Sequence, residues 1–399
     1  MNAEAMFRVI RLGLVGLWLL GARTALAGDL NPPLGPVGPT MKPLNEVEPR
    51  VAVSAVNTPG DADSVFRISQ PGSYYLTGNL AGESGKHGIE IAADNVTLDL
   101  MGFHLVGVPG SLSGITSTSA GNNVAIRNGS VREWGGSGID LFGVGLPHGS
   151  TIESVRATNN IAAGIRGTFY KAIIRDCMAI GNGTVGIWVW HHALVESCFA
   201  DENGDEGIHA NGYGGTMTSC FSTSNAGAGI YVEGSWTIMH CSASVNGSTG
   251  IQALWGTTIS GCTAVSNAGS GISGGRIVSN CSSENNQVAG IVVSAGGLVR
   301  DNTCSSNDGA GIWIGCCVGD ARVEGNNVYQ NGIGIDVDYT GNVIVRNTAS
   351  ANTTNNYNIV AGNRYGPIIN ITGSSTAAVV GNSAVSTMST TDPWANFAY

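Results

Sequence analysis

Charge is what this 399-residue sequence has least of: Asp, Glu, Lys and Arg make up 12% of it, about half the usual share of a soluble domain. Lys and Arg number 18 against 28 Asp and Glu, for a formal net charge of -10, and they form no stripe. A phosphate-binding surface needs such a stripe, so nucleic acid is excluded as a partner. After the leader, no apolar run reaches the ~20 residues of a membrane-spanning helix. A Gly-X-Y period is absent although there are 60 glycines. The excess glycine therefore belongs to tight turns and not to a collagen. Room for α-helices is lacking too. Apolar runs are short, as in "GIYVE" (229–233) and "WTIMHC" (236–241), and Asn/Gly breaks separate them. Such runs alternate as strands do.

What fills the chain is a repeat. "CFADENGDEGI" from Cys198 resembles a catalytic cluster, with Asp201, Glu202, Asp205 and Glu206 leading into His209. Its neighbours show it to be one copy of a unit: "CMAIGNGTVGI" from Cys177, "CFSTSNAGAGI" from Cys220, "CSASVNGSTGI" from Cys241 and "CTAVSNAGSGI" from Cys262. The template is Cys, four residues, Asn, three residues, Gly-Ile. Gly-Ile recurs twelve times from Gly88 to Gly334, at intervals of 19 to 26 residues. That period belongs to stacked coils, and the short β-type runs select an all-β, right-handed parallel β-helix of about a dozen coils. A Leu-x-x-Leu-x-Leu skeleton, which leucine-rich repeats need, is missing.

Each template position has a physical reading. Ile230 and Val232 point inward, Tyr231 and Glu233 outward. The glycine is expected at a turn with φ > 0, and the asparagine in the left-handed region. Asn160, Asn182, Asn203, Asn225, Asn246, Asn267, Asn286 and Asn307 are expected to form a ladder, each amide donating to one coil and accepting from another. Cys177, Cys198, Cys220, Cys241, Cys262 and Cys281 share one position and should stack as small buried groups. A thiol column is the reading. Disulfides between coils ~4.8 Å apart are the alternative. Asn302, Asn326 and Asn347 continue the column. Cys316 and Cys317 lie outside it and lack zinc-ligand spacing.

Four regions follow. Residues 1–27 read as a secretory signal: Arg8 and Arg11, an apolar run from Leu12 to Leu20, and Ala25-Leu26-Ala27 before cleavage at Gly28, with Met6 a second candidate start. Residues 28–60, rich in Pro and Gly, read as a linker or a draped segment. Residues 61–384 are the β-helix, with "SVFRISQPGSYYLTGNL" as a strand pair capping its end. Residues 385–399 are a cap or a tail. The mature chain is expected outside the cytoplasm, as a secreted, periplasmic or cell-surface protein.

These repeats resemble the right-handed parallel β-helix superfamily of pectate lyases and other polysaccharide enzymes. The leading segment "TPGDADSVFRISQPGSYYLTGNL", followed by "HGIEIAADNVTLDLMGFHLVG", resembles secreted bacterial β-helix proteins, those of planctomycetes among them. Met101 stands where such proteins often carry asparagine. The resemblance implies a polysaccharide partner, handled on the outer face of the strand after Gly-Ile. There the first outward position includes Asp140, Arg166, Trp188, His209, Tyr231, Trp313 and Asp336, and the second includes Phe142, Thr168, Trp190, Asn211 and Glu233. Rings stack on sugar faces while polar groups bond hydroxyls. The candidate binding residues are Trp188, Trp190 and Asn211. The candidate catalytic residues are Arg166, His209, Tyr231, Asp140 and Glu233. In a lyase or epimerase Arg166 would stabilise a carboxylate or enolate, with His209 or Tyr231 as base or acid. A hydrolase would pair Asp140 with Glu233.

Family motifs do not choose among these reactions. "WVWHH" (188–192) resembles the Trp-x-Asp-His stretch of pectate lyases, with Trp190 in place of the aspartate. Arg-x-Pro-x-x-Arg, the Asn-Thr-Asp and Gly-His-Gly motifs of polygalacturonases and the Asp-Pro-His-Glu motif of alginate epimerases are absent. No cofactor is expected. Calcium at Asp201, Glu202, Asp205 and Glu206 is the one metal to consider, but no D-x-D-x-D-G loop is present, so solvated turn acids are the reading. A non-catalytic surface solenoid is the alternative function.

Overall fold

The computed structural model describes residues 48–118, 122–143, 148–254, 256–293, 295–315, 319–370 and 391–398. The signal, most of the linker, Cys316, Cys317 and the start of the C-terminal region lie outside the described residues. By their contacts, Arg50–Tyr399 form one unit.

Among the described residues there is no helix. The chain winds through short strands, three to a coil in the middle of the molecule. One coil consists of Ile208–Ala210, Thr216–Thr218 and Phe221–Thr223. Among the described residues, the twelve Gly-Ile strands, with Ser64–Ile68 before them and Asn355–Ile359 after, build a sheet of fourteen parallel strands. The other two strands of each coil join a second, larger parallel sheet.

The register explains the template. Ile187, Ile208, Ile230, Ile251, Ile272, Ile291, Ile312 and Ile335 are successive partners, each fully buried. Burying each isoleucine contributes roughly 1.5–3 kcal/mol. In the other two strands only the middle residue turns inward, such as Met217 and Ser222 in the coil above.

Two template roles differ from expectation. The Gly-Ile glycines have no positive φ. They are glycine because the next coil is too close: a Cβ on Gly207 would come within 2.0 Å of Ser222 Oγ and 2.5 Å of Asn225 Nδ2. The ladder asparagines are not left-handed either. The residue before each takes that conformation, as Glu202, Ser224 and Val245 do, with φ between 52° and 56°. This bend turns the asparagine side chain inward.

The ladder itself is present. Asn203 Nδ2 donates to Asn225 Oδ1 at 2.9 Å and to the Ala179 carbonyl at 3.0 Å, while Asn225 Nδ2 donates to Asn246 Oδ1 at 3.0 Å. It runs from Asn160 through Asn307 to Asn331 and Asn352, the turn asparagines that follow Asn326 and Asn347 by five residues. The cysteine column is buried and its thiols are free; Cys304, on a different column, is a seventh. Cys198 Sγ donates to the Glu196 carbonyl at 3.2 Å. Neighbouring thiols and burial push its pKa up, and burial raises that of Cys304. Asn302, Asn326 and Asn347 take over the column as a second ladder whose last rung is Asn396.

Both ends differ in detail. Ser64–Ile68 and Gly72–Tyr75 do not pair with each other as a cap. They are strands of the first coil and pair in parallel with His87–Ile91 and Val96–Asp99. Pro71-Gly72 is a coil corner, not a hairpin. At the other end Asn396–Ala398 pairs with Thr348–Ser350 and Ile368–Asn370. Trp394 there lies 4.4 Å from the Arg346 guanidinium.

Candidate functional site

Parallel stacking in register places Asp140, Arg166, Trp188, His209, Tyr231 and Gln252 side by side on successive strands of the first sheet. The isoleucine preceding each is inside, so these side chains lie on the outer face.

Arg166 organises one half. Its guanidinium reaches Asp140 Oδ2 at 3.5 Å and lies 4.2 Å from the Phe142 ring, 4.9 Å from Trp188 and 5.2 Å from Trp190. Its Nε is covered and unbonded. Trp190 is not the exposed platform expected from alternation. It is 8% exposed, pressed between Phe142 at 4.4 Å and Trp188 at 4.7 Å. Bulky neighbours on both sides close over it, so it forms the floor while Trp188 is the ring nearer solvent. Thr168, another expected outward residue, is buried and bonded to Ser150 Oγ at 2.9 Å.

The other half is a hydrogen-bonded chain. Trp188 Nε1–H donates to Asn211 Oδ1 at 2.8 Å, Asn211 Nδ2 to Glu233 Oε2 at 3.0 Å, and the Tyr231 hydroxyl to Glu233 Oε1 at 3.0 Å. Burial, and then the Glu233 carboxylate, push the Tyr231 hydroxyl up to about 12. His209 sits between Trp188 at 5.3 Å and the edge of Tyr231 at 4.9 Å. Its Nδ1 is 3.4 Å from Glu206 Oε2, and its Nε2 is covered and unpaired.

Glu206 is the residue that sequence reading missed. Grouped with the solvated turn acids, it instead folds back on His209, which holds its carboxyl below the ordinary range despite burial. Burial and Glu206 together raise Asp205. The available signal was the spacing: Glu206 precedes outward His209 by three residues across the tight Gly207 corner. Also missed was an aromatic stack beside the face, where Tyr170 lies 4.8 Å from His148 and 5.2 Å from His191, and His191 5.9 Å from Tyr213.

The geometry limits the chemistry. Asp140 and Glu233 belong to strands four steps apart, roughly 19 Å at ~4.8 Å per step. That exceeds the ~5–9.5 Å of glycosidase carboxylates, so this pair does not meet as a hydrolase requires. Arg166 and His209 are two steps apart, roughly 10 Å, with the Trp188 ring between them. Tyr231 and Glu233 are the adjacent donor and acceptor. Among the described residues, no three His, Cys, Asp or Glu side chains converge as metal ligands. Glu202 and Asp205 of the acidic turn are exposed.

The family model described as the right handed beta helix region matches residues 113–264 and 192–328, together more than half of the chain. No curated protein matches the sequence. Among solved structures, the A-module of the Azotobacter vinelandii mannuronan C-5 epimerase AlgE6 is 16% identical, with 74% of this chain and 91% of that one covered and a TM-score of 0.44. A point mutant of the periplasmic alginate epimerase AlgG is 13% identical over 74% and 80%, with a TM-score of 0.48. The Dettilon tailspike protein is 15% identical over 70% of this chain and 61% of its own, with a TM-score of 0.44. The family match, with the all-parallel register and the stacked ladders, places this chain in the right-handed parallel β-helix family.

Proposed function

We propose that the chain is an exported carbohydrate-binding β-helix protein, and that its glycan lies on the face from Asp140 to Glu233. The observation that supports this reading most is the preorganised Trp188 ring. It is half-buried and fixed through its Nε1 by the Asn211–Glu233–Tyr231 chain. A ring held this way presents a face to a sugar at little entropic cost. The fixed carboxylate and amide beside it suit hydroxyl groups.

Charge narrows the ligand class. The arginine of the face is engaged by Asp140 and by three rings, while Glu206 and Glu233 add negative charge. A polyuronate would bring one more anion per sugar to this surface, so a neutral polysaccharide is the better match. If the site is catalytic, Tyr231 is the proton donor and Glu233 the acceptor. His209, with Nδ1 on Glu206 and Nε2 covered, supports the ring packing and does not reach the substrate.

The test is a panel of xylan, galactomannan, soluble β-glucan, alginate and polygalacturonate. Binding is read by calorimetry, and turnover by unsaturated-product absorbance and reducing-end release. Binding of a neutral member, weakened at least tenfold by Trp188→Ala, is expected. Failure to bind any member would leave the non-catalytic surface solenoid as the function. Preference for alginate or polygalacturonate would overturn the charge argument.

A further inference from the structure

The C-terminal part of the same sheet carries a concavity far from the Arg166–Glu233 cluster. It encloses about 360 Å³ and includes Val288, Ala310, Trp313, Ile333, Asp336 and Thr354 in its lining. Trp313 stands in the same outward column as Tyr231, through Gln252, Ser273 and Val292. Four strand steps separate them, roughly 19 Å.

The concavity has two kinds of wall. Val288 is 45% exposed and, with Ala310, Ile333 and the half-buried Trp313, supplies apolar surface. Asp336, in register beside Trp313, and Thr354 supply polar atoms. Asp338 Oδ2 accepts from Trp313 Nε1 at 2.9 Å, and Asn358 Nδ2 donates to Asp336 Oδ1 at 2.7 Å. The ring and the carboxylate are therefore both fixed before any ligand arrives. Glycines keep the wall open. A Cβ on Gly332 would lie 2.4 Å from the Asp308 carbonyl, so successive turns pack with no side chain between them.

An apolar, ring-faced hollow with a few oriented polar groups is what one sugar residue needs, and the volume is within the ~300–1,000 Å³ of small-ligand sites. We propose that this concavity is a second sugar-binding subsite, which engages a distant residue of the same neutral polysaccharide chain that lies across Trp188. The sugar assignment rests on the reading given under Proposed function; the hollow itself does not. Two fixed sites on one rigid sheet convert the second contact into an intramolecular one. The gain can reach ~10²–10⁴-fold for a chain long enough to span both, and is nil for one that is not.

The experiment uses affinity electrophoresis of the full chain in gels containing xylan, galactomannan or soluble β-glucan. Tetrasaccharides of the same glycans serve as short competitors. The variants are Trp188→Ala, Trp313→Ala, the double variant and Asp336→Asn, each with a melting curve to confirm folding. Trp313→Ala should weaken retention by the bound polymer at least tenfold, and Asp336→Asn should weaken it in the same direction. Trp188→Ala should also weaken retention, and the double variant should lose it. Retention of Trp313→Ala and Asp336→Asn equal to wild type, with Trp188→Ala impaired, overturns the second subsite and leaves the first reading intact. Loss with Trp313→Ala alone retains the hollow as a glycan contact but overturns both the Trp188 face and the two-site arrangement. A wild-type chain that no gel retards overturns both. Should Trp313→Ala fail to fold, Asp336→Asn decides.

Discussion

Val245 is an exposed β-branched residue in the left-handed region, with φ of 56°. The equivalent position is Glu202, Ser224, Ser266, Asn285 or Ser306 in neighbouring coils. Left-handed backbone costs an L-residue ~1–2 kcal/mol, and asparagine bears it best after glycine. Val245→Asn should therefore raise the unfolding midpoint by the equivalent of ~1 kcal/mol in chemical denaturation; an unchanged or lower midpoint would contradict that conformation. Tyr231 offers a pH test. Its folded pKa of about 12 lies above the ordinary value of about 10. The neutral phenol is thus favoured by folding. That contribution is complete below about pH 10 and is lost as pH rises towards 12. Phenolate absorbance of wild type minus Tyr231→Phe should show this group ionising late, and Glu233→Gln should bring it down. Ionisation near pH 10 would mean that the hydroxyl is exposed and free of Glu233. At this scale the sequence disclosed which residues recur but not their conformations. Glycine and asparagine are both turn formers, and only the distance to the next coil shows that the glycine avoids a clash and the asparagine points inward.

The coil is stabilised where its corners stack. Asn225 accepts from Asn203 Nδ2 and donates to Asn246, to the Ala200 carbonyl and to Ser222 Oγ. Asn225→Ala leaves Asn203 Nδ2 short of one acceptor and the Ala200 carbonyl short of one donor in a buried corner, and should cost ~1–3 kcal/mol. A melting midpoint equal to wild type would refute an internal ladder. Strand positions and register were legible, because an isoleucine at a near-constant interval fixes which residue faces in and which stacks on which. The ends were less so. A Pro-Gly dipeptide marks a corner and a hairpin alike, so the first coil resembled a cap. Asn396 follows Asn347 by 49 residues, and no 21-residue period points to it. The candidate site was legible as a column but not as a set of contacts. Alternation placed Trp190 outside correctly, yet Phe142 and Trp188 bury it. Glu206 lies in a turn, where period 2 says nothing.

At the scale of the whole molecule, fourteen stacked strands make one face on which rings and carboxylates are held at fixed spacing. The buried template residues hold the coils, and the exposed outward residues, such as Glu202 of the acidic turn, can vary without disturbing them. Binding should therefore respond to the ring face and not to the turn acids. The most direct measurement is calorimetric titration, with the bound neutral polysaccharide, of wild type, Trp188→Ala and the Asp201→Asn/Glu202→Gln double variant, alongside their melting temperatures. The expected result is a melting temperature near wild type for the acidic double variant and a modestly lower one for Trp188→Ala, whose ring covers Trp190, with binding weakened at least tenfold by Trp188→Ala, about 1.4 kcal/mol, and little changed in the acidic double variant. Binding that falls with the acidic double variant or on chelation, and is indifferent to Trp188, would contradict it and point to calcium in the Asp201–Glu206 turn.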